Sequence, residues 1–225
     1  MTEVDMPHQV RYPQDHAPWW RRYGDVLTPA LTTCVGLEAE ATSLAAFEAQ
    51  VVHGLLQTGE YARAVLQAVH PADSDARLAD RVELRLVRQA VLERTQPPLR
   101  LHLVLDEAVL HRAVGGRVVM CDQLRHLSAM AERENVTVQV LRYRHGEHVG
   151  LAGSFGIFQL ADVLDPGVVY AESQAGVAYL DRPEDRAHFC ELFARLAVSA
   201  APPPASVDLI RTLADSWSSG LKDEG

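Results

Sequence analysis

The chain has 225 residues, of which 48% are hydrophobic and 23% charged. A chain of this size and ordinary composition buries an adequate core without disulfides, which excludes a small disulfide-stapled scaffold. Asp and Glu number 30 against 21 Lys and Arg, and the formal net charge of −9 argues against nucleic acid as the main partner, because phosphate binding depends on Lys and Arg.

The cysteines and the apolar runs indicate the compartment. Cys34, Cys121 and Cys190 are far apart, and their spacing fits neither a zinc knuckle nor a disulfide framework. Residues 1–15 lack the apolar core of a signal peptide. No uncharged apolar run approaches the ~20 residues of a membrane-spanning helix. We therefore expect a cytoplasmic protein with reduced thiols and no membrane partner.

The start of the chain predicts an irregular arm and then a helix. The arm covers residues 1–36, and its Trp19-Trp20-Arg21-Arg22 segment predicts an anchor that docks on the body of the protein. From Gly36 onward, apolar residues recur at three- and four-residue steps, which is typical of one helix face. These residues are Leu37, Ala41, Leu44 and Phe47. Gly54 is expected to interrupt this helix.

Two further helices follow, each with a residue suited to cap it. Thr58 is a candidate N-cap for a helix that ends near His70. Ser74 is a candidate N-cap for a long helix that ends near Arg94, because Pro97 cannot continue a helix.

From residue 99 the pattern changes to strands mixed with helices. Apolar runs, several of them alternating with polar residues, predict strands at 99–105, 136–143, 153–160 and 167–172. Helical periodicity is found at 106–112, 118–133, 183–198 and 205–217. The sequence therefore predicts an α+β fold, with N-terminal helices, a central and mostly antiparallel sheet of about four strands with crossing helices, and C-terminal helices.

Four groups of residues carry a family resemblance by their order and spacing. They are Gly54-Leu55-Leu56-Gln57-Thr58 with Tyr61-Ala62-Arg63-Ala64; Leu103-Val104-Leu105-Asp106-Glu107 with Arg112 and Gly115; Asn135-Val136-Thr137-Val138-Gln139-Val140-Leu141 with Gly146, His148, Gly150, Gly153 and Phe155; and Val169-Tyr170-Ala171-Glu172. Together they resemble the domain of unknown function that follows Xre-type helix-turn-helix segments in actinobacterial, antitoxin-like regulators. The resemblance covers about residues 19–215.

The resemblance, taken with the element pattern, divides the chain into three parts. We expect an irregular arm at 1–18, a regulator-type sensor or effector domain at 19–200, and a Pro-rich linker with a C-terminal helix and tail at 201–225. The resemblance also implies small neighbouring proteins as partners, in developmental or secondary-metabolism control.

Two departures from the family pattern bear on function. Relatives carry a helix-turn-helix before the Trp-Trp segment, whereas 18 residues precede Trp19 here, and prolines among them would break helices. We therefore expect no direct binding to DNA. The second departure is His53, at a position where the family commonly has Pro.

Arginines form a stripe along the long helix, since their spacings of four, four and three residues place them on one face. Leucines border this stripe, where a simple solvent-exposed face would have acids and amides. Guanidinium groups in such a setting predict a site for a carboxylate or phosphate, or a docking strip for an acidic partner. The alternative is internal ion pairing with Glu38, Glu40 or Asp106. The stripe consists of Arg77, Arg81, Arg85 and Arg88.

Acidic residues at predicted strand ends are further candidates. Asp106 and Glu107 follow a strand, where they are suited either to the start of a helix or to a site role with Arg112. Glu172 ends the last predicted strand and would face His148 if the two segments are neighbours. His145 and His148 have a spacing that permits metal binding, but nearby arginines disfavour a cation, and we expect no metal.

The sequence thus favours a binding module for a small ligand, anionic or partly apolar, or for a small protein. A homodimer is left open. No phosphate-binding glycine loop and no nucleophile elbow is present in the sequence, and no cofactor is expected. We expect the pocket between the helical half and the sheet. The residues expected to line it are Gln57, Tyr61, Arg81, Arg85, Arg88, Glu107, Arg112, His148 and Glu172.

Two alternatives stay open. The pocket could instead serve a cofactor-independent cyclase or isomerase of a secondary metabolite, with Glu107 or Glu172 as the base and Arg112 or His148 as its electrostatic partner. An antitoxin-like protein that sequesters a neighbouring protein is the other, and it requires a large exposed apolar patch rather than a deep cavity.

Overall fold

The computed structural model of the chain describes residues 19–95, 98–161, 167–173 and 175–219. The predicted arm at 1–18, the residue Pro97 and the tail from 220 onward lie outside the described residues. The helices are α1 (Pro29–Glu40), α2 (Gly59–Val69), α3 (Asp75–Arg88), α4 (Ala108–His111), α5 (Arg117–Met130), α6 (Pro183–Ser199) and α7 (Pro203–Ser219). The strands are β1 (Ala41–Glu48), β2 (Arg100–Asp106), β3 (Val136–Leu141), β4 (Phe155–Leu160), β5 (Val168–Ser173) and β6 (Gly176–Leu180).

The six strands form one mixed sheet in the order β3-β2-β1-β4-β5-β6. The three strands β3, β2 and β1 run parallel, with Ala46 opposite Leu103. Each of the pairs β1-β4, β4-β5 and β5-β6 is antiparallel, and Gly156 lies opposite Tyr170. The predicted α+β class is confirmed, and three of the five strand pairings are antiparallel. The expected number of about four strands was too low.

The predicted helix from Gly36 to Gly54 is wrong. This segment contains the end of α1 and then β1. Because β1 is a central strand, both of its faces are covered: Leu44 and Ala46 belong to one core cluster and Phe47 to another. Such a strand has no need of polar alternation, and its apolar residues happen to fall at helix-like intervals.

The irregular arm predicted for 1–36 is also wrong from residue 19 onward. A short 3₁₀ helix covers Trp19–Tyr23, and α1 begins at Pro29. Thr28 caps α1, since its Oγ1 accepts a hydrogen bond from the N–H of Leu31 at 3.1 Å. The sequence signal was present, because Pro is favoured in the first turn of a helix after a Thr cap.

Strand β6 is a further element that the sequence did not predict. It begins at Gly176, whose φ of 126° lies in a region that favours glycine. Its residues are only half-buried or exposed, so it has no continuous apolar pattern.

The predicted caps are confirmed, and the strands and helices predicted after residue 99 correspond to β2–β5 and α4–α7 with ends that differ by up to three residues. Thr58 Oγ1 accepts from the N–H of Tyr61 at 3.4 Å, and Ser74 Oγ accepts from the N–H of Arg77 at 3.3 Å. Helix α3 ends at Arg88 and continues as a 3₁₀ turn over Gln89–Leu92, close to the predicted end.

Helices cover both faces of the sheet. The larger core includes Leu37 of α1, Leu124 of α5 and Ile210 of α7 on one face. On the other face, Phe193 of α6 packs with Phe47 and other strand residues. The Trp-Trp segment docks as expected through Trp20, which is buried in a cluster with residues of α1 and α3. Trp19 remains 40% exposed.

Candidate functional site

A cavity of about 290 Å³ lies between the sheet, α1, α3 and the segment that connects β1 to α2. This volume is at the small end of the range for ligand pockets. The polar side chains in its wall include Glu48, His53, Gln57, Arg85, Tyr170 and Glu172. The apolar part of the wall includes Leu31, Val51 and Val177.

Arg85 is the principal cation of this cavity. Its Nη1 donates to Oε1 of Gln57 at 2.9 Å, and no carboxylate of a described residue lies within 4.0 Å of the guanidinium. Gly54 makes room for it, because a Cβ at that position would lie 3.2 Å from Cδ of Arg85. Burial and the neighbouring charge of Arg88 lower the pKa of Arg85 to about 10, so the side chain stays cationic at neutral pH.

The other three arginines of the predicted stripe are paired with acids. Arg88 makes a two-pronged ion pair with Glu38, with distances of 2.6 Å from Nη2 to Oε1 and 2.9 Å from Nε to Oε2. Both side chains are buried. Arg77 and Arg81 both contact Asp73, with Nε–O distances of 3.3 Å and 2.5 Å. Of the partners expected from sequence, Glu38, Glu40 and Asp106, only Glu38 pairs with the stripe, through Arg88, while Asp73 is an unpredicted partner of Arg77 and Arg81. Arg85 is the one stripe arginine with no acidic partner among the described residues.

Glu48 lies at the carboxyl end of β1 and enters the cavity wall as an uncharged acid. Burial raises its pKa to about 8, and the negative charge of Glu172 acts in the same direction. A hydrogen bond with Ser154 opposes this shift without cancelling it. A protonated carboxyl group has one O–H to donate, so Glu48 can offer a hydrogen bond to a ligand at neutral pH.

His53 is held in one tautomer by its neighbours. Its Nδ1 accepts from the N–H of Leu55 at 3.2 Å, which leaves the proton on Nε2, 3.1 Å from the hydroxyl oxygen of Tyr170. Burial and the charges of Arg88 and Arg85 lower the pKa of His53 to about 3. His53 and Glu48, with Nε2 and Oε1 4.0 Å apart, are therefore both uncharged at neutral pH and form no ion pair.

Two features of the sheet place Tyr170 and Glu172 at the cavity. A Cβ at Gly156 would lie 2.1 Å from Cε1 of Tyr170, so only glycine lets the Tyr170 ring pack across β4. Glu172 follows two residues later on β5, on the same face, and is exposed at the mouth of the cavity. The hydroxyl of Tyr179 donates to the carbonyl of Ala30 at 2.7 Å and ties β6 to α1 beside this mouth.

The structure gathers four of the nine predicted lining residues at this cavity: Gln57, Arg85, Arg88 and Glu172. Tyr61 is fully buried in the core, and its hydroxyl accepts from the N–H of Val52, so it supports the cavity wall from behind. Arg81 lies in a smaller neighbouring pocket of about 70 Å³.

The remaining three predicted residues lie elsewhere. Glu107 does not meet Arg112: it accepts from Nε of Arg142 at 3.0 Å and from the N–H of Tyr143 at 2.7 Å. Arg112 donates instead to the carbonyl of Gln50 at 3.1 Å. Glu107 and Arg142 follow the carboxyl ends of β2 and β3. Strands β1 and β4 lie between these two strands and β5, which carries Glu172.

The predicted pairing of His148 with Glu172 is wrong. His148 Nε2 lies 3.5 Å from Oδ2 of Asp106, whereas Glu172 lies at the cavity. Asp106 is the last residue of β2, and its Oδ1 accepts a hydrogen bond at 2.8 Å from the N–H of Ala108, the first residue of α4. This contact at the start of a helix agrees with the helix-start interpretation. Within the described part of the chain, no group of three or more His, Cys, Asp or Glu side chains could hold a metal ion.

Sequence reasoning missed Glu48 and Tyr170 as cavity residues. The sequence predicts a helix for the segment that contains Glu48. Its position at the end of a strand would have indicated a site residue, but that strand was not predicted. Tyr170 was quoted for the family resemblance alone. His53 was noted only as a departure from the family pattern.

Fold and cavity together define the class: an α+β domain whose mixed sheet, covered by helices, forms a small polar cavity around an arginine with no acidic partner among the described residues. The family model for the domain of unknown function DUF5753 matches residues 31–212, and the chain belongs to that family. Comparison with curated proteins gave no match, and neither did comparison with solved structures. Among the described helices, none is long and apolar enough to cross a membrane.

Proposed function

We propose that this protein is a ligand-binding module of the regulator type, and that it holds a small anionic molecule in the cavity with Arg85 as the anchor. The observation that carries the proposal is the guanidinium group of Arg85, which faces a cavity and has no acidic partner among the described residues. We also propose that the protein is related to Xre-type regulators and that it is located in the cytoplasm.

The energetics of buried charge favour this assignment. A charged side chain removed from water loses solvation that only a counter-charge or several hydrogen bonds restore. Arg88 has that compensation from Glu38, whereas the described residues give Arg85 a single acceptor, the neutral amide of Gln57. A carboxylate or phosphate on the ligand would complete the coordination of Arg85 with charge-assisted hydrogen bonds.

The rest of the wall suits a small and partly apolar anion. Glu48 is protonated at neutral pH and therefore does not repel an anion. The hydroxyl oxygen of Tyr170 accepts a hydrogen bond from Nε2–H of His53, so the hydroxyl proton of Tyr170 is free to be donated to a ligand. Leu31, Val51 and Val177 supply apolar contact. The net charge of −9 also favours a small ligand over nucleic acid.

Native mass spectrometry tests this proposal. Purified protein is incubated with a library of small carboxylates and phosphate esters, and retained masses are compared among three proteins: wild type, Arg85→Gln and Arg77→Gln. Arg77 is the matched control, since it lies on the same helix and contacts Asp73 outside the cavity. We expect an acid retained by wild type and by Arg77→Gln and lost from Arg85→Gln. Retention by all three proteins, or by none, would contradict the proposal.

Glu48 supports a second candidate, a cofactor-independent isomerase. In its ionised form, which gains population as the pH rises toward a pKa of about 8, Glu48 can remove a proton from a carbon next to a carbonyl, and the carboxyl group so formed can return the proton to a different carbon. In this scheme Glu48 takes the role of base that the sequence assigned to Glu107 or Glu172. Deuterium exchange into a bound ligand in D₂O, present in wild type and absent in Glu48→Gln, would support it. A ligand that binds without deuterium exchange or turnover would reject the isomerase and leave the binding module as the proposed function.

A further inference from the structure

The cavity carries a second charge that has no counter-ion among the described residues. Glu172 lies at its mouth, and among the described residues no Lys, Arg or His nitrogen lies within 4.0 Å of its carboxylate. Arg85 and Glu172 face the same cavity without forming an ion pair. The two charges are nevertheless close enough for Glu172 to raise the pKa of Glu48 and to favour the charged form of Arg85.

With Glu172 at the mouth, an anionic ligand that also carries a cationic group is favoured over one that carries negative charge alone. An anion bound to Arg85 would face the carboxylate of Glu172, and like charges in a partly buried cavity repel each other more strongly than in water. A ligand with a cationic group near Glu172 replaces that repulsion with attraction.

We infer that the ligand is a small zwitterion of the amino-acid type, whose carboxylate binds Arg85 and whose ammonium group binds Glu172. This inference rests on the proposed function, and it specifies the ligand class for the same cavity. The carboxylate and the ammonium group of such a ligand complement the charges of Arg85 and Glu172. The small volume of the cavity and the apolar residues Val51 and Val177 suit a short hydrocarbon side chain.

The charged groups on every side of the cavity are consistent with this assignment. Arg88 and Glu38 neutralise each other in a buried pair, and Glu48 and His53 are uncharged at neutral pH. Arg85 and Glu172 therefore remain as the cation and the anion of the described wall. An uncharged pocket interior between two opposite charges matches the charge pattern of a zwitterion.

Isothermal titration calorimetry with matched probes tests the inference. The three compounds of a set share one hydrocarbon side chain and carry both charged groups, the carboxylate alone or the ammonium group alone. The sets are leucine, 4-methylpentanoate and 3-methylbutylamine, and phenylalanine, 3-phenylpropanoate and 2-phenylethylamine. The proteins are wild type, Arg85→Gln, Glu172→Gln and the control Glu191→Gln, in which the replaced carboxylate is exposed on α6.

We expect the amino acid of at least one set to bind wild type and Glu191→Gln about tenfold or more tightly than its deaminated acid. Glu172→Gln is expected to lose this preference while still binding the acid. The inference would be overturned by equal affinity for amino acid and acid in wild type, or by an unchanged preference in Glu172→Gln. Neither result would affect Arg85-dependent binding of the acid, so the proposed function would stand. Acid binding that is unchanged in Arg85→Gln would instead contradict the proposed function. If neither amino acid binds wild type, the inference is also overturned. The proposed function is tested separately by the library of carboxylates and phosphate esters.

Discussion

The Nε2 atom of His53 lies 3.1 Å from the hydroxyl oxygen of Tyr170, and this contact joins the segment after β1 to the middle of β5. Because Nδ1 of His53 already accepts from the N–H of Leu55, the imidazole donates to Tyr170. Both groups thereby have a defined orientation in the cavity wall. A preorganised wall lowers the entropic cost of ligand binding, since fewer side chains have to be ordered when the ligand enters.

The buried imidazole of His53 predicts a loss of stability in acid. The folded protein holds its pKa at about 3, whereas an unfolded chain titrates near 6.5, so the unfolded state binds the proton first as the pH falls. The stabilising contribution is complete above pH ~6.5 and declines by up to about 1.4 kcal/mol per pH unit as the pH falls toward the folded value. Urea unfolding of wild type and His53→Asn between about pH 4 and 8 measures it, and we expect a flatter pH dependence for His53→Asn. Equal slopes would show that His53 is not buried in its neutral form.

Glu48 predicts the opposite dependence, a cost that grows toward alkaline pH. Its folded pKa of about 8 lies above the ordinary value, so its contribution to stability is complete below pH ~4.5 and is lost as the pH rises through 8. We expect Glu48→Gln to gain stability relative to wild type by up to about 1.4 kcal/mol per pH unit over that window, because Gln cannot ionise. Denaturant unfolding at several pH values measures the difference. A difference that does not vary with pH would contradict the assignment of a protonated Glu48.

The ion pair between Glu38 and Arg88 predicts a large cost when one partner is removed. Glu38→Gln leaves the buried guanidinium without its counter-charge, and we expect a loss of about 3–5 kcal/mol in the free energy of unfolding. The double variant Glu38→Leu/Arg88→Met removes both charges and is expected to recover much of that loss.

An exposed ion pair supplies the matched control for this prediction. Glu83 contacts Arg22 at 3.1 Å with both side chains more than half exposed, so Glu83→Gln is expected to cost less than about 1 kcal/mol. Similar costs for Glu38→Gln and Glu83→Gln in thermal and urea unfolding would show that the Glu38–Arg88 pair is not desolvated.

Gly156 predicts a coupling between sheet packing and the cavity. An alanine there would place its Cβ 2.1 Å from the Tyr170 ring, so the ring has to move out of its position in the wall. We expect Gly156→Ala to lose about 1–3 kcal/mol of stability and to weaken ligand binding. The control is Gly59→Ala in the first turn of α2, where the new Cβ makes an ordinary 3.6 Å contact with Leu86 and stability should be retained. Unchanged stability in Gly156→Ala would contradict the close packing of Tyr170 on β4.

Part of the cavity was accessible from sequence because local spacing determines it. Helical spacing places Arg85 and Arg88 on one face of α3, and the caps Thr58 and Ser74 mark where α2 and α3 begin. Glu172 was found from its place at the end of a predicted strand. Local signals of this kind depend on residues close together in the chain.

The rest of the cavity depends on the order of strands in the sheet, which local spacing does not determine. Glu48 was missed because a central strand covered on both faces has no alternating pattern. Glu107 and His148 were grouped with Glu172 since all lie near strand ends. In the sheet, β1 and β4 separate β2 from β5, so these ends do not meet.

The affinity of wild type, Arg85→Gln and Arg77→Gln for the tightest-binding small acid, measured by titration calorimetry at neutral pH, tests the central claim most directly. If Arg85 anchors the ligand, its replacement should weaken binding by about tenfold or more, as expected for the loss of a charge-assisted hydrogen bond, while Arg77→Gln should match wild type. Equal dissociation constants for all three proteins would contradict the claim that the cavity binds its ligand through Arg85.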